Sequence, residues 1–387
     1  MLALLALAEL LGMSLWFAAS AVSGQLAERW ALSPSETAGL TSSVQLGFVL
    51  GTACSAVLNL ADIIPSRRLF AWSAVGGALA NTALLAAPGF GWALACRLTT
   101  GFFLAGVYPP AMKMGATWFR AQRGLAVGTI VGALTVGKAG PYLVHAIPGV
   151  GEGPVVLSAS ISAVAAAFLV ALLYADGPHA FPPRAFSWGL VASVTRERRW
   201  RLATGGYLGH MFELYSFWTW IPAFMGASLA ASGRTGTTAG IVSAASFGAI
   251  AIGGAGCVWG GSVADRRGRE WLVTLAMAVS GSCAILSAAV FAGPFWIVVL
   301  LALVWGWFVI ADSAQFSVLV TESVPAHAVG TALTVQTCVG FLLTLVTIQG
   351  AAVLAARIGW QWTFPGLALG PALGIAAIRR LKAISSR

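Results

Sequence analysis

The sequence predicts an all-α polytopic membrane protein: twelve transmembrane helices in two pseudo-symmetric six-helix halves. Composition, span-length apolar runs and an internal repeat predict it. Apolar residues make up 58% of the 387 residues, charged residues only 9%, and mean hydropathy is +0.86. A water-soluble domain carries about 25% charged residues. This chain cannot cover a water-facing surface and must use lipid as its solvent. A lipid-facing β-barrel needs alternating polar and apolar residues, whereas residues 158–174 and 297–311 are apolar in every register.

Gly, Pro and charge clusters cut the chain into twelve apolar runs of about the 20 residues a bilayer requires. They fall at 2–23, 37–58, 69–87, 91–114, 124–146, 154–174, 201–230, 238–261, 271–292, 294–319, 328–353 and 361–379. Connections are short except at 175–200, where Pro178, Pro182, Pro183 and the basic run Arg196, Arg198, Arg199 have linker composition. The expected organisation is an N-terminal half at 1–174, a cytoplasmic linker at 175–200 and a C-terminal half at 201–387. The first run contains Glu9 and lacks a basic leader, so it reads as a spanning helix rather than a cleavable signal peptide.

With the N-terminus placed inside, 17 of the 22 Lys and Arg residues fall in inside loops, including Arg67, Arg68, Arg120, Arg123, Arg184, Arg266, Arg267, Arg379 and Arg387. Only Arg29, Arg234 and Arg357 fall outside. Lys and Arg mark the cytoplasmic face, so the expectation is a multi-pass protein of the plasma membrane (a bacterial inner membrane) with both termini cytoplasmic. The net charge of +10 then reports topology and contact with anionic lipid, and nucleic acid is not an expected partner. Tryptophans such as Trp30, Trp72, Trp92, Trp296 and Trp362 fall near span ends, where an aromatic belt belongs. The five cysteines lie apart inside apolar runs, with no CxxC and no His at ligand spacing, so neither a disulfide framework nor a metal site is expected. No P-loop, GxSxG or HExxH occurs, no cofactor is implied, and the chain does not read as an enzyme.

The repeat has an offset of about 204 residues. Glu9-Leu10 with Trp16 recurs as Glu213-Leu214 with Trp220, Leu60-Ala61-Asp62 as Val263-Ala264-Asp265, and Gly124-Leu125-Ala126 as Gly330-Thr331-Ala332. Parallel repeats of this kind are a transporter architecture. The loop Gly261-Ser262-Val263-Ala264-Asp265-Arg266-Arg267-Gly268-Arg269 carries a further resemblance. So do the connection from Trp118-Phe119 to Arg123-Gly124 and Arg97-x-x-x-Gly101 on the fourth run. Together they make the whole chain similar to the major facilitator superfamily of transporters. The resemblance implies that Asp265 and Arg269 form a conformational latch between the halves. It also implies that spans one, four, seven and ten line a central cavity, and it links Arg97 with proton coupling. In the first copy of the loop, Ile63 stands where the second has Arg, and Pro65 predicts a differently shaped turn.

A charge inside a bilayer costs about 2.5 kcal/mol or more and is retained for function by default. The candidates are Glu9, Arg97, Lys138, Glu213 and Asp312, with the ionisable His210. Tyr207, His210 and Glu213 lie three apart on one helical stripe. The expected proton-coupling residues are Glu213 with His210, then Asp312 and Glu9. Arg97 and Lys138 are the expected anion binders, a fork and a point charge, with Tyr207, Trp218 and Gln315 completing the substrate site. Glycines at Gly124, Gly128 and Gly132, and at Gly47 and Gly51, predict close helix packing. The expected activity is alternating-access, proton-coupled symport of a small organic or inorganic anion such as a carboxylate, by a monomer. The competing reading is a proton antiporter that exports lipophilic cations or drugs.

Overall fold

The computed structural model describes residues 1–119, 123–179, 187–233, 238–325 and 327–385. Of the residues used above to orient the chain, Arg120, Arg184, Arg234 and Arg387, Pro182 and Pro183, and the Arg123 side chain lie outside that description. The first expected span is broken into α1 (Leu2–Gly12), a 3-10 turn at Met13–Leu15, α2 (Ala18–Ala21) and α3 (Ser23–Trp30). Then come α4 (Pro34–Val57), α5 (Leu60–Ile63), α6 (Ser66–Ala83), α7 (Phe90–Leu104), α8 (Tyr108–Trp118), α9 (Arg123–His145) and α10 (Glu152–Leu173). Beyond the 175–200 segment, which contributes the short α11 (Trp188–Arg196), lie α12 (Arg198–Ala231), α13 (Ala239–Arg267), α14 (Arg269–Val290) and α15 (Phe295–Ala311). The chain closes with α16 (Ser313–Ser323), α17 (Val329–Ile358), α18 (Trp360–Thr363), a 3-10 turn at Phe364–Ala368 and α19 (Leu369–Ser385).

Local chemistry explains the boundaries. Ser33 and Glu36 form a reciprocal capping box at the start of α4, and Pro34, which has no N–H to leave unpaired, opens the helix. Pro109 and Pro110 open α8 in the same way after the turn at 105–107. Gly268, at φ +90°, turns α13 into α14 in a conformation that a side chain would strain. The corresponding turn before α6 is built instead from α5 and Pro65, the different shape that the sequence suggested.

Among the described residues, nine helices are long and apolar enough to cross a bilayer, and no strand occurs. Three of the twelve expected runs do not meet that measure, each for its own reason. The first is interrupted at Met13–Val22, the seventh carries His210, Glu213 and several hydroxyls along α12, and the last is divided around Pro365. α12 itself continues through Pro222.

Glycines set how closely the helices pack. α9 lies along α13, with Gly128 and Gly132 against the carbonyls of Cys257 and Gly254: a Cβ at Gly132 would stand 2.6 Å from the Gly254 oxygen. On α4, Gly47 faces Leu98 and Gly51 faces Phe102 of α7, with equally little room. α4 also packs on α17, where Ser35 donates to Gln349 at 3.0 Å and Phe48 meets Phe341 with centroids 4.6 Å apart. These faces hold the cavity described next between the break after α1 and helices α8, α9, α12, α15, α16 and α17.

Candidate functional site

The break in the first span creates the site. Where the helix ladder lapses, the carbonyls of Leu15 and Trp16 lose their helical donors, and buried backbone acceptors need partners. Arg97 supplies them. One guanidinium nitrogen donates to Leu15 O (3.3 Å) and Asn81 Oδ1 (2.9 Å), the other to Leu15 O (3.2 Å) and Trp16 O (2.6 Å). Asn81 in turn donates to Val156 O and Ser160 Oγ, and Ser14 donates to Ala159 O. Arg97 thus fastens the broken span to α6, α7 and α10. It is fully buried and does not line the cavity. The sequence expected its partners to be carboxylates or substrate. They are two backbone carbonyls and the Asn81 amide oxygen, because a helix break offers an acceptor pair that fits the planar fork.

The Arg97 clamp leaves Trp16 facing Lys138. The Lys138 ammonium donates to the Tyr215 hydroxyl at 2.6 Å and lies over three rings, 4.1 Å from the centroid of Trp16, 4.8 Å from Tyr215 and 5.1 Å from Trp218. Each cation–π contact in a desolvated setting contributes about 0.5–2 kcal/mol. Phe341 closes the box against Trp16 and Tyr215. Beneath it is a cavity of about 60 Å³, lined also by Tyr108, Tyr207, Ser313, Ser317 and Gln336. Lys138 is the one charged side chain among its described lining residues, and no carboxylate is among them.

Of the expected substrate residues, Lys138, Tyr207 and Trp218 line the cavity and Arg97 and Gln315 do not. Gln315 is buried at the start of α16, where its N–H bonds Asp312 O. The expected pairing of His210 with Glu213 is not formed. Three residues leave the two side chains about 60° apart around the helix axis, enough for them to meet different neighbours. Glu213 accepts from Ser280 Oγ at 2.7 Å and from Trp305 Nε1 at 2.8 Å, between α12, α14 and α15 and away from the cavity. His210 Nδ1 stands 2.9 Å from Asp312 Oδ1 at the α15–α16 break, although the approach falls outside hydrogen-bond geometry and leaves Oδ1 and His210 Nε2 unbonded. Glu9 is fully buried, and neither of its oxygens has a hydrogen-bond partner among the described residues. Its neighbourhood is tight: a Cβ at Gly137, next to Lys138, would stand 2.0 Å from the carbonyl oxygen of Leu10, next to Glu9.

The loop residues divide. The Asp265 carboxylate sits against Gly124 at the start of α9, within 3.0 Å of where a Cβ would be. That is the first turn of α9, where the helix dipole favours a carboxylate. Arg269 pairs with Glu322 of α16 at 2.9 Å, both half exposed, and so ties α14 to α16 rather than to the N-terminal part of the chain. In the first copy, Asp62 pairs with Lys113 at 2.7 Å. Trp16, Tyr108, Gln336 and Phe341 were not expected in the site. Trp16 served only as a repeat landmark, and Gln336 is an uncharged polar residue whose position in an apolar run was the one available signal.

A bundle of apolar helices, broken around an enclosed cavity with one cation, is the build of a membrane transporter. The family comparison agrees: residues 4–347, most of the chain, match the model of the Major Facilitator Superfamily, and the chain belongs to that family. Comparison with curated proteins finds none that matches.

Proposed function

We propose that the protein is a proton-coupled symporter of a small organic anion. The observation that carries this reading is the charge of the cavity: Lys138 is the sole charged lining residue among those described. In a low-dielectric enclosure an ammonium without a lining carboxylate favours an anion strongly and repels a cation. Export of lipophilic cations, the competing reading, calls for an acid on the cavity wall.

The coupling proton is placed at Glu9. Its oxygens have no hydrogen-bond partner among the described residues and its helix packs on that of Lys138, so a proton on Glu9 and an anion on Lys138 balance the same charge. Glu213 has two donors of its own and lies off the cavity. In this reading, two six-span halves, 1–174 and 201–387, rock about the cavity by alternating access. The 175–200 linker and both termini lie on the cytoplasmic side of the plasma membrane, and one chain suffices. The excess of Lys and Arg in the loops assigned inside supports that orientation.

The test is a solute panel on proteoliposomes. An inward proton gradient should drive accumulation of an organic monoanion, and collapsing the gradient should abolish it. Gradient-dependent movement of cationic dyes with no anion accumulation would overturn the reading.

A further inference from the structure

We infer that the groove between α6 and α10 binds an anionic phospholipid, its phosphate held by Arg67 and Arg68 and an acyl chain laid along the two helices. Both arginines lie in the first turn of α6, and with Ala71, Trp72 and Ala171 of α10 they line a recess of about 250 Å³ at one end of the groove. They are exposed, and neither forms an ion pair or a side-chain hydrogen bond among the described residues. Asp62, the acid nearest to them in sequence, is paired with Lys113, and no acid is among the described residues that line the recess. Two adjacent guanidiniums without a carboxylate are a site for a phosphate, whose oxygens match the planar forks. A zwitterionic headgroup would bring an ammonium to the same place with nothing to receive it. Phosphatidylglycerol brings the phosphate charge alone.

The surface leading away from the recess selects a lipid over a soluble anion. Trp72, 62% exposed, lies one turn into α6 from Arg68, and a tryptophan ring there belongs at headgroup level. Val75 and Leu79 continue the same exposed face of α6. α10 packs against α6 and exposes Leu172, Phe168 and Ile161 from the recess inward. From Arg68 to Leu79 the helix rises about 16 Å, at about 1.5 Å per residue. Half of a hydrocarbon core of about 30 Å is about 15 Å. Two unpaired cations, an interfacial ring and one leaflet's depth of exposed apolar surface therefore follow one another along a single groove. Basic recesses between spanning helices that open onto the membrane surface are where anionic headgroups collect.

The experiment is native mass spectrometry of the delipidated full-length protein titrated with phosphatidylglycerol, phosphatidylethanolamine and phosphatidylcholine. Wild-type protein should bind its first phosphatidylglycerol about tenfold more tightly than either zwitterionic lipid. Arg67→Gln with Arg68→Gln should narrow that preference to about twofold or less. Arg379→Gln with Arg380→Gln removes an equally exposed basic pair from α19 and should leave the preference in place. Neither inorganic phosphate nor glycerophosphoglycerol, the headgroup without its chains, should displace the lipid at millimolar concentration. The inference is overturned if wild type shows no preference, if the α6 variant keeps it, or if the α19 variant loses it to the same extent. Displacement by phosphate or by the chainless headgroup overturns it too, by showing an anion site without a lipid. The readout is binding at the membrane face, so it stands or falls separately from transport through the central cavity.

Discussion

Arg97 and Lys138 are both enclosed cations, and their neighbours give them different work. Arg97 meets three acceptors at a helix break, so its loss is first a loss of structure. Arg97→Ala leaves Leu15 O, Trp16 O and Asn81 Oδ1 short of donors, at about 1–3 kcal/mol for each acceptor left unpaired. Arg97→Lys keeps the charge but not the fork and should recover only part of this. Thermal unfolding in detergent should rank wild type above Lys above Ala; an unchanged midpoint in the Ala variant would show that the carbonyls find other partners. Among the acids, Glu9 and Glu213 should behave oppositely despite their repeat-related positions. Glu9→Gln should abolish pH-driven accumulation and spare counterflow, which needs no net proton movement. Glu213→Gln should leave coupling in place and lower stability by about 1–3 kcal/mol, since Ser280 and Trp305 donate to different carboxylate oxygens and the amide replaces one of these with a donor. Uptake and counterflow measured side by side on the two variants check both expectations, and coupling lost with Glu213 instead of Glu9 would reassign the proton.

The elements were legible in the sequence to the extent that they are regular. α4, α9, α10, α13, α14 and α17 follow apolar runs bounded by Gly, Pro or charge, and the glycine spacing on α9 anticipated its contact with α13. The interruption of the first span was not legible, because no Pro lies within Met13–Val22 and the break is held by Arg97 from another helix. The same limit governs the site. Charge inside an apolar run identified Lys138 and Glu9, but the partners of Arg97, His210 and Glu213 depend on side-chain direction across helices, which spacing alone does not encode. Gln336 was missed because its whole apolar run carries no charge, and Trp16 because it reaches the site through the helix break. The glycine faces make a sharp prediction at this scale. Gly132→Leu should push α9 from α13, because even its first carbon would stand 2.6 Å from the Gly254 oxygen, and uptake and thermal stability should both fall. Gly226→Ala on α12, where nothing lies within 4 Å, should be neutral in both assays. Equal effects of the two changes would mean that close packing at α9–α13 does not matter.

At the scale of the molecule, the contacts on which the proposed alternating access would act lie at opposite ends of the bundle. Asp265 of α13 sits at the start of α9, while Ser35 with Gln349, and His145 with Ser243 at 2.8 Å, join helices toward the other end. A contact made in one conformation acts on state populations rather than on the site. Asp265→Asn should therefore lower the maximal transport rate severalfold with substrate affinity within about twofold of wild type, read from initial rates and direct titration. A collapse of affinity would give the loop another role. Among its described lining residues the cavity between these ends has one charge, that of Lys138. Counterflow of an organic monoanion in proteoliposomes, with no proton gradient applied, isolates that charge from coupling. Wild-type protein should exchange labelled for unlabelled anion, Lys138→Arg should retain part of the exchange, and Lys138→Gln should lose it at least tenfold while remaining folded. Counterflow at the wild-type rate in Lys138→Gln would contradict the account.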